Sequence, residues 1–127
     1  MAVTAIQVLE DGPRNYVLKV IGIGGDAATL LVTPSALDPP CTTLRILAVT
    51  YNLGPAQIAT LLWDATTDTT ACIMNGNNDA YMCFKQYGGI VNDSGAGTTG
   101  NVLLTTTGTD PYMLIIEFAK CHSPSFN

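Results

Sequence analysis

The chain has 127 residues, the length of one ordinary domain, and its net charge is −5 because ten acidic residues outnumber five basic ones. The basic residues are scattered and form no patch, which excludes the clustered cations that nucleic acids and anionic membranes require. Only 12% of the residues are charged, against roughly 25% in typical soluble proteins, so the surface is either covered by other subunits or made neutral by its 17 threonines.

The chain opens with MAVTAIQVLEDGPR, which has no basic region ahead of its apolar residues and reaches Glu10 and Asp11 early. We therefore expect no secretory signal, and synthesis in the cytoplasm. Helical periodicity is interrupted everywhere by Gly, Pro or Thr, whereas strand signals are dense. In chain order, strands are predicted at residues 3–10, 15–23, 29–33, 43–52, 57–63, 70–74, 80–85, 101–107 and 112–121.

Turn residues separate these segments, among them Asp11-Gly12-Pro13, Gly24-Gly25-Asp26 and Asp38-Pro39-Pro40. The predicted fold class is all-β: a single antiparallel β-sandwich or jelly-roll-like domain of about eight to nine short strands. This domain covers residues 1–127 and has short extended arms at its two ends. No apolar run approaches the ~20 residues that span a bilayer, so no membrane partner is expected.

The apolar patterns of two predicted strands indicate how each strand is buried. Residues 44–49 are apolar at nearly every position, which favours a central strand covered on both sides. The last strand places Tyr112, Leu114, Ile116 and Phe118 on one face, and we expect that face in the core.

Four cysteines, Cys41, Cys72, Cys83 and Cys121, are too widely spaced for a zinc ribbon, and we expect free, mostly buried thiols. A hairpin centred on Asn77-Asn78 would place Cys72 opposite Cys83, within cross-strand contact. A turn centred on Asn75-Gly76 is the stronger turn signal and would break that pairing.

Residues 95–100 spell G-x-G-x-x-G, but a strand is predicted to follow them, so we interpret them as a loop and not as a dinucleotide site. The only histidine, His122, lies in the tail, without the nucleophile and carboxylate that a catalytic histidine needs. Asp64, Asp68 and Asp79 could approach a calcium ion, yet no EF-hand spacing is present and such residues more often cap their own turns. We therefore expect no enzymatic activity, no catalytic residues, no cofactor and no metal.

Trp63 is the only tryptophan, and it is interpreted as a core or interface anchor, with a sugar-stacking platform as the alternative. The two terminal segments lack strong turn or helix chemistry and can become ordered against a neighbour. The candidate interface residues are therefore Met1, Ala2, Val3, Thr4, Ala5, Trp63, His122, Ser123, Pro124, Ser125 and Phe126.

Three stretches carry a resemblance: AVTAIQVLEDGPRN at residues 2–15, LLWDATTD at residues 61–68, and the segment from YGGI through VLLTTTG to LIIEF at residues 87–118. The chain resembles small structural proteins of tailed bacteriophages, most of all the decoration (cement) proteins of the capsid. The resemblance implies a β-rich homo-oligomer, often a trimer, that is made in the host cytoplasm. It also implies that the protein binds the major capsid protein on the outer surface of the virion. Two alternatives remain: another virion component, such as a head–tail adaptor or tail protein, and a carbohydrate-binding β-sandwich.

Overall fold

The computed structural model describes residues 3–76 and 81–121, and these form two antiparallel sheets packed as a β-sandwich. Each of the nine predicted strands is present, with boundaries that shift by a few residues. The all-β fold class is therefore confirmed. The strands are β1 (Val3–Asp11), β2 (Asn15–Ile23), β3 (Asp26–Val32), β4 (Thr43–Leu53), β5 (Ile58–Trp63), β6 (Thr69–Asn75), β7 (Tyr81–Cys83), β8 (Val102–Thr107) and β9 (Pro111–Cys121).

The strands divide between a five-stranded sheet, in the order β1-β2-β9-β4-β7, and a four-stranded sheet, in the order β3-β8-β5-β6. The last strand, β9, is the middle strand of the five-stranded sheet, where it pairs with β2 on one side and β4 on the other. Short 3-10 turns at Pro34–Ala36 and Lys85–Tyr87 are the only helical elements in the described ranges. Neither has the length or the apolar character of a helix that crosses a membrane.

The core lies between the inward faces of the two sheets. Leu114, Ile116 and Phe118 of β9 are fully buried and Tyr112 is nearly so, which confirms the inward face predicted for this strand. Trp63 is the largest fully buried side chain and comes from the opposite sheet. Burial of a large apolar side chain contributes roughly 1.5–3 kcal/mol, so this layer is the main source of stability.

Strand β4 corrects one prediction. A β-bulge lies between Ile46, which is opposite Phe118, and Ala48, which is opposite Glu117. The extra residue reverses the alternation, so that Ile46 and Val49 both face the core although their spacing is odd. β4 is flanked by β9 and β7, which confirms its predicted central position. The near-continuous apolar run, however, reflects a change of face within the strand, and not coverage of both faces along its whole length.

The N-terminal arm is also partly corrected. Val3 and Ala5 pair with β2 across a bulge, and the Thr4 hydroxyl donates a hydrogen bond to the carbonyl oxygen of Ile21. These residues are therefore strand, because their backbone groups find partners on the neighbouring strand. The rest of the expected arms, at residues 1–2 and 122–127, lies outside the described residues.

One end of the sandwich is closed by an ion pair between a buried lysine and a partly exposed aspartate, and we call it the charged end. The side chain of Lys120 is wholly buried, and its Nζ donates to Oδ1 of Asp11 at 2.5 Å and to the carbonyl oxygen of Pro39 at 2.8 Å. Oδ2 of Asp11 accepts a hydrogen bond from the amide of Asp38. Burial alone would raise the pKa of Asp11, but these hydrogen bonds and the charge of Lys120 hold that pKa below its ordinary value.

The opposite end is closed by Gln57, and we call it the neutral end. This side chain is fully buried; its Nε2 donates to the carbonyl oxygen of Gly24 at 2.7 Å, and its Oε1 accepts from the amide of Asp110 at 3.0 Å. The backbone amide of Gln57 donates to the carbonyl oxygen of Gly54, and its carbonyl oxygen accepts from the amide of Gly76. One uncharged residue thus joins the turns that follow β2, β4, β6 and β8.

Candidate interaction surface

The outward face of the four-stranded sheet is the feature that best suits contact with another molecule. Ala59, Leu61 and Trp63 of β5 are buried, so the alternate residues of that strand point outward. Residues that lie opposite each other on neighbouring strands point to the same side of the sheet. The registers of β6 and β8 against β5, and of β3 against β8, therefore identify the outward residues of those strands too. The outward residues, which we call the neutral face, are Leu30, Ile58, Thr60, Leu62, Thr70, Ile73, Asn75, Leu103, Thr105 and Thr107.

The neutral face carries no charge. All four of its strands are described, and their single charged residue is Asp26, which lies opposite Thr106 on the inward side at the start of β3. Three aliphatic side chains on the face are well exposed: Leu30 at 49%, Ile58 at 43% and Ile73 at 60%. Exposed aliphatic side chains that share one uncharged sheet face with threonines mark an interaction site more often than isolated exposed apolar residues do.

The outward face of the five-stranded sheet differs in charge. The registers place Glu10 opposite Val17, Lys19 opposite Gln7, and both Arg45 and Glu117 on this side of the sheet. Glu117 also forms a salt bridge with Lys85, at 3.1 Å, on the surface. A neighbour that covered this face would have to remove water from several ions, whereas covering the neutral face requires no such step.

Cys83 is exposed in β7, at the edge of the five-stranded sheet. A hydrogen bond from the Lys85 amide, together with one from the Tyr81 hydroxyl and the nearby Lys85 charge, lowers the pKa of its thiol. In contrast, burial raises the pKa of Cys72 to about 11. The four cysteines are free, and Cys41 and Cys72 are buried, whereas Cys83 is exposed and Cys121 is partly exposed.

The pairing of Cys72 with Cys83 is not formed. Cys72 lies opposite Leu61 in the four-stranded sheet, and Cys83 lies opposite Ala48 in the five-stranded sheet. The two thiols therefore belong to different layers, because the chain changes sheets between β6 and β7. The Asn77-Asn78 turn on which the pairing depended falls outside the described residues.

The structure corrects the interface role of Trp63. Its side chain is fully buried between the sheets, so it is a core residue and offers no surface to a partner or a sugar ring. Thr4 and Ala5 are exposed on β1, and Val3 also belongs to that strand. The other candidates at the termini, Met1, Ala2, His122, Ser123, Pro124, Ser125 and Phe126, lie outside the described residues.

The acidic turn residues have structural partners. Oδ1 of Asp68 accepts from the Ala65 amide, and Oδ2 of Asp64 accepts from the Thr99 hydroxyl at 2.7 Å. The second bond ties the β5–β6 turn to the glycine-rich loop, which β8 follows, as predicted. Asp79 is not among the described residues, and within those that are, no group of three metal-ligating side chains comes together.

A shallow depression at the neutral end offers little chemistry. It is lined by Asn52, Leu53, Gly54, Pro111, Tyr112 and Met113, and none of these is a carboxylate, a histidine or a cysteine. No family model matches the chain, and no curated protein matches it. A function must therefore be inferred from the surfaces themselves.

Proposed function

We propose that this protein is a decoration protein of a tailed-phage capsid, which binds the major capsid protein on the outside of the assembled head and strengthens it. The neutral face is the observation that carries this proposal. The resemblance in residues 2–15, 61–68 and 87–118 suggests a capsid decoration protein, and the neutral face is a surface suited to a broad contact between proteins.

The neutral face fits such a contact for an energetic reason. Covering Leu30, Ile58 and Ile73 removes apolar area from water, which is favourable by roughly 25 cal/mol per Å². No ion on this face loses its hydration, because the sheet presents only aliphatic, threonine and asparagine side chains outward. The threonine hydroxyls can exchange hydrogen bonds with a partner as they do with water.

The size of the neutral face indicates how such binding would work. Four strands about 4.8 Å apart and about six residues long present a footprint of roughly 300 Å². A stable isolated complex buries about 800 Å² on each partner, so this face alone supports only a weak contact. A lattice of identical subunits overcomes this deficit, since several weak contacts to neighbouring subunits act together.

Stabilisation of the head then follows from mass action. A protein that binds the assembled shell but not the free subunits shifts the equilibrium toward the shell. Catalysis plays no part in this role, and a pocket is unnecessary.

The test compares particles that carry the wild-type protein, no protein, or one of two matched variants. Ile73→Lys places a cation on the neutral face at the most exposed of its aliphatic positions. Ile23→Lys makes the same change at a residue that is 48% exposed on the outward side of the five-stranded sheet. We expect I73K to lower the copy number per particle and the temperature at which DNA is released, and we expect I23K to preserve both.

Other outcomes would contradict the proposal. A copy number that matches a single vertex would favour a head–tail adaptor. Copies in the hundreds that leave the release temperature unchanged would keep the location and remove the strengthening role. Equal loss of binding in I73K and I23K would show that the neutral face is not the contact.

A further inference from the structure

Strand β1 is an edge strand with an open side. It has nine residues and, among residues 3–76 and 81–121, pairs only with β2, so one row of its backbone amides and carbonyls has no strand partner within those ranges. The other edge strands are shorter: β3 and β6 have seven residues each, and β7 has three. An edge of this kind is a ready template for a strand from another molecule.

The middle of β1 lacks the usual protection of an edge. Natural edge strands carry lysines, prolines or bulges that prevent pairing. Here no charged residue and no proline occurs between Val3 and Leu9. The bulges lie toward the two ends, between Val3 and Ala5 and between Val8 and Glu10, and they leave residues 5–8 in regular register.

The inward side of β1 also exposes apolar side chains. Ile6 lies opposite Val20 and Val8 opposite Leu18, so both point to the core side of the sheet. They are nevertheless 43% and 52% exposed, because the four-stranded sheet does not cover this strand fully. The edge therefore offers both unpaired backbone and uncovered aliphatic area to the same partner.

We infer that the occupant of this edge is β1 of a second copy of the chain, paired antiparallel about Gln7. In that register Ile6 of each copy lies opposite Val8 of the other, on the same side of the joined sheet. A shift by one residue would place core-side residues against outward residues, so the pattern of side chains excludes the registers one residue away.

Charge supports a second copy as the partner. Both acidic residues of β1, Glu10 and Asp11, lie at one end of the strand. Antiparallel pairing about Gln7 places them beside the uncharged beginning of the other strand, residues 3–4, and away from their own counterparts. Two chains that each carry a net charge of −5 thus meet along an edge where no like charges face each other.

The inference concerns free protein in solution and does not depend on the proposed capsid role. The experiment is sedimentation velocity over a wide range of protein concentrations, with four forms of the full chain. We expect the wild type to associate reversibly as its concentration rises. Ile6→Glu and Val8→Lys should each weaken this association by at least about tenfold, because each places an unpaired charge at the joint.

The paired register allows a sharper test. When the I6E and V8K chains are mixed in equal amounts, the introduced charges face each other, and association should return as a complex with one copy of each. The control Ile23→Lys, on the outward side of β2, should associate as the wild type does. Circular dichroism and thermal melting of each variant would establish that it is folded.

Three results would overturn the inference: a wild type that remains monomeric at the highest concentration, a mixture that stays monomeric although each variant is folded, or an I23K variant that loses association as fully as V8K does. The outcome is separable from that of the particle experiment, since the two experiments change residues on different surfaces and only one of them contains a shell.

Discussion

The two ends of the sandwich are closed by different chemistry for the same structural purpose. At the charged end, the buried ammonium group of Lys120 is compensated by Asp11 and by the carbonyl oxygen of Pro39. At the neutral end, the amide of Gln57 satisfies Gly24 and Asp110 without any ion. The difference teaches that a buried polar connection can be either sensitive or insensitive to pH, and that its sensitivity depends on whether a proton can neutralise one member.

The largest effect is expected at the charged end. Asp11→Ala removes the only carboxylate bonded to Lys120 among the described residues and leaves the buried ammonium group with the carbonyl oxygen of Pro39 but no opposite charge. Loss of one member of a buried pair costs about 3–5 kcal/mol, and because Asp11 is partly exposed we expect the free energy of unfolding in urea at neutral pH to fall by the lower end of this range. Glu10→Ala, one residue away on the same strand, is the control and should change stability by about 0.5 kcal/mol or less. A loss below ~1 kcal/mol in D11A would mean that the ammonium group finds water or another partner.

A somewhat smaller effect is expected at the neutral end. Gln57→Leu keeps a side chain of similar length but leaves the Asp110 amide without its partner, whereas the Gly24 carbonyl keeps its hydrogen bond from the Thr106 hydroxyl. An unsatisfied buried group costs about 1–3 kcal/mol, and we expect a loss of that size in urea unfolding. Gln86→Leu changes the same residue type at an exposed position and should be nearly neutral. If Q57L were as stable as the wild type, Gln57 would not stabilise the neutral end, and the comparison between the two ends would fail.

The smallest effect is the pH dependence, and it should appear at one end only. The pKa of Asp11 in the folded chain is lower than in the unfolded chain, so its contribution is complete above the unfolded value of about 3.9. That contribution is lost as the pH falls through the folded pKa. Urea unfolding should therefore show that the free energy of unfolding of the wild type and of Q57L falls between pH 7 and pH 3. The decrease should be smaller in Asp11→Asn. The same loss in all three proteins would assign the acid sensitivity to other carboxylates.

The strands were predictable because their signals are local. Alternating residues in β9 and turn residues such as Gly24 and Asp110 act within a few positions, and both indicated the correct elements. The core side of β9 followed from the same alternation. The bulge in β4 was not predictable, since one extra residue has no sequence mark and reverses the faces of everything that follows it.

The surfaces were harder to predict because they depend on which strands share a sheet. The sequence predicted Trp63 as a core or interface anchor without deciding between the two. The register and burial of β5 show that Trp63 points inward, while Ile58 and Leu62 point outward. The neutral face combines four strands from three separate parts of the chain, so no local window contains it. One signal was present: in β5, β6 and β8, no position on either face is charged.

The position of β9 has a consequence for how the chain folds during synthesis. The middle strand of the five-stranded sheet emerges from the ribosome after all the other eight, so β2 and β4 must wait for their common partner. Until then, the β2 side of the β1–β2 hairpin has no neighbouring strand, and β4 (Thr43–Leu53) lacks its pairing with β9. Pairing of such distant segments is slow and leaves strand edges open to association, so nascent chains that stall before residue 111 should depend on chaperones.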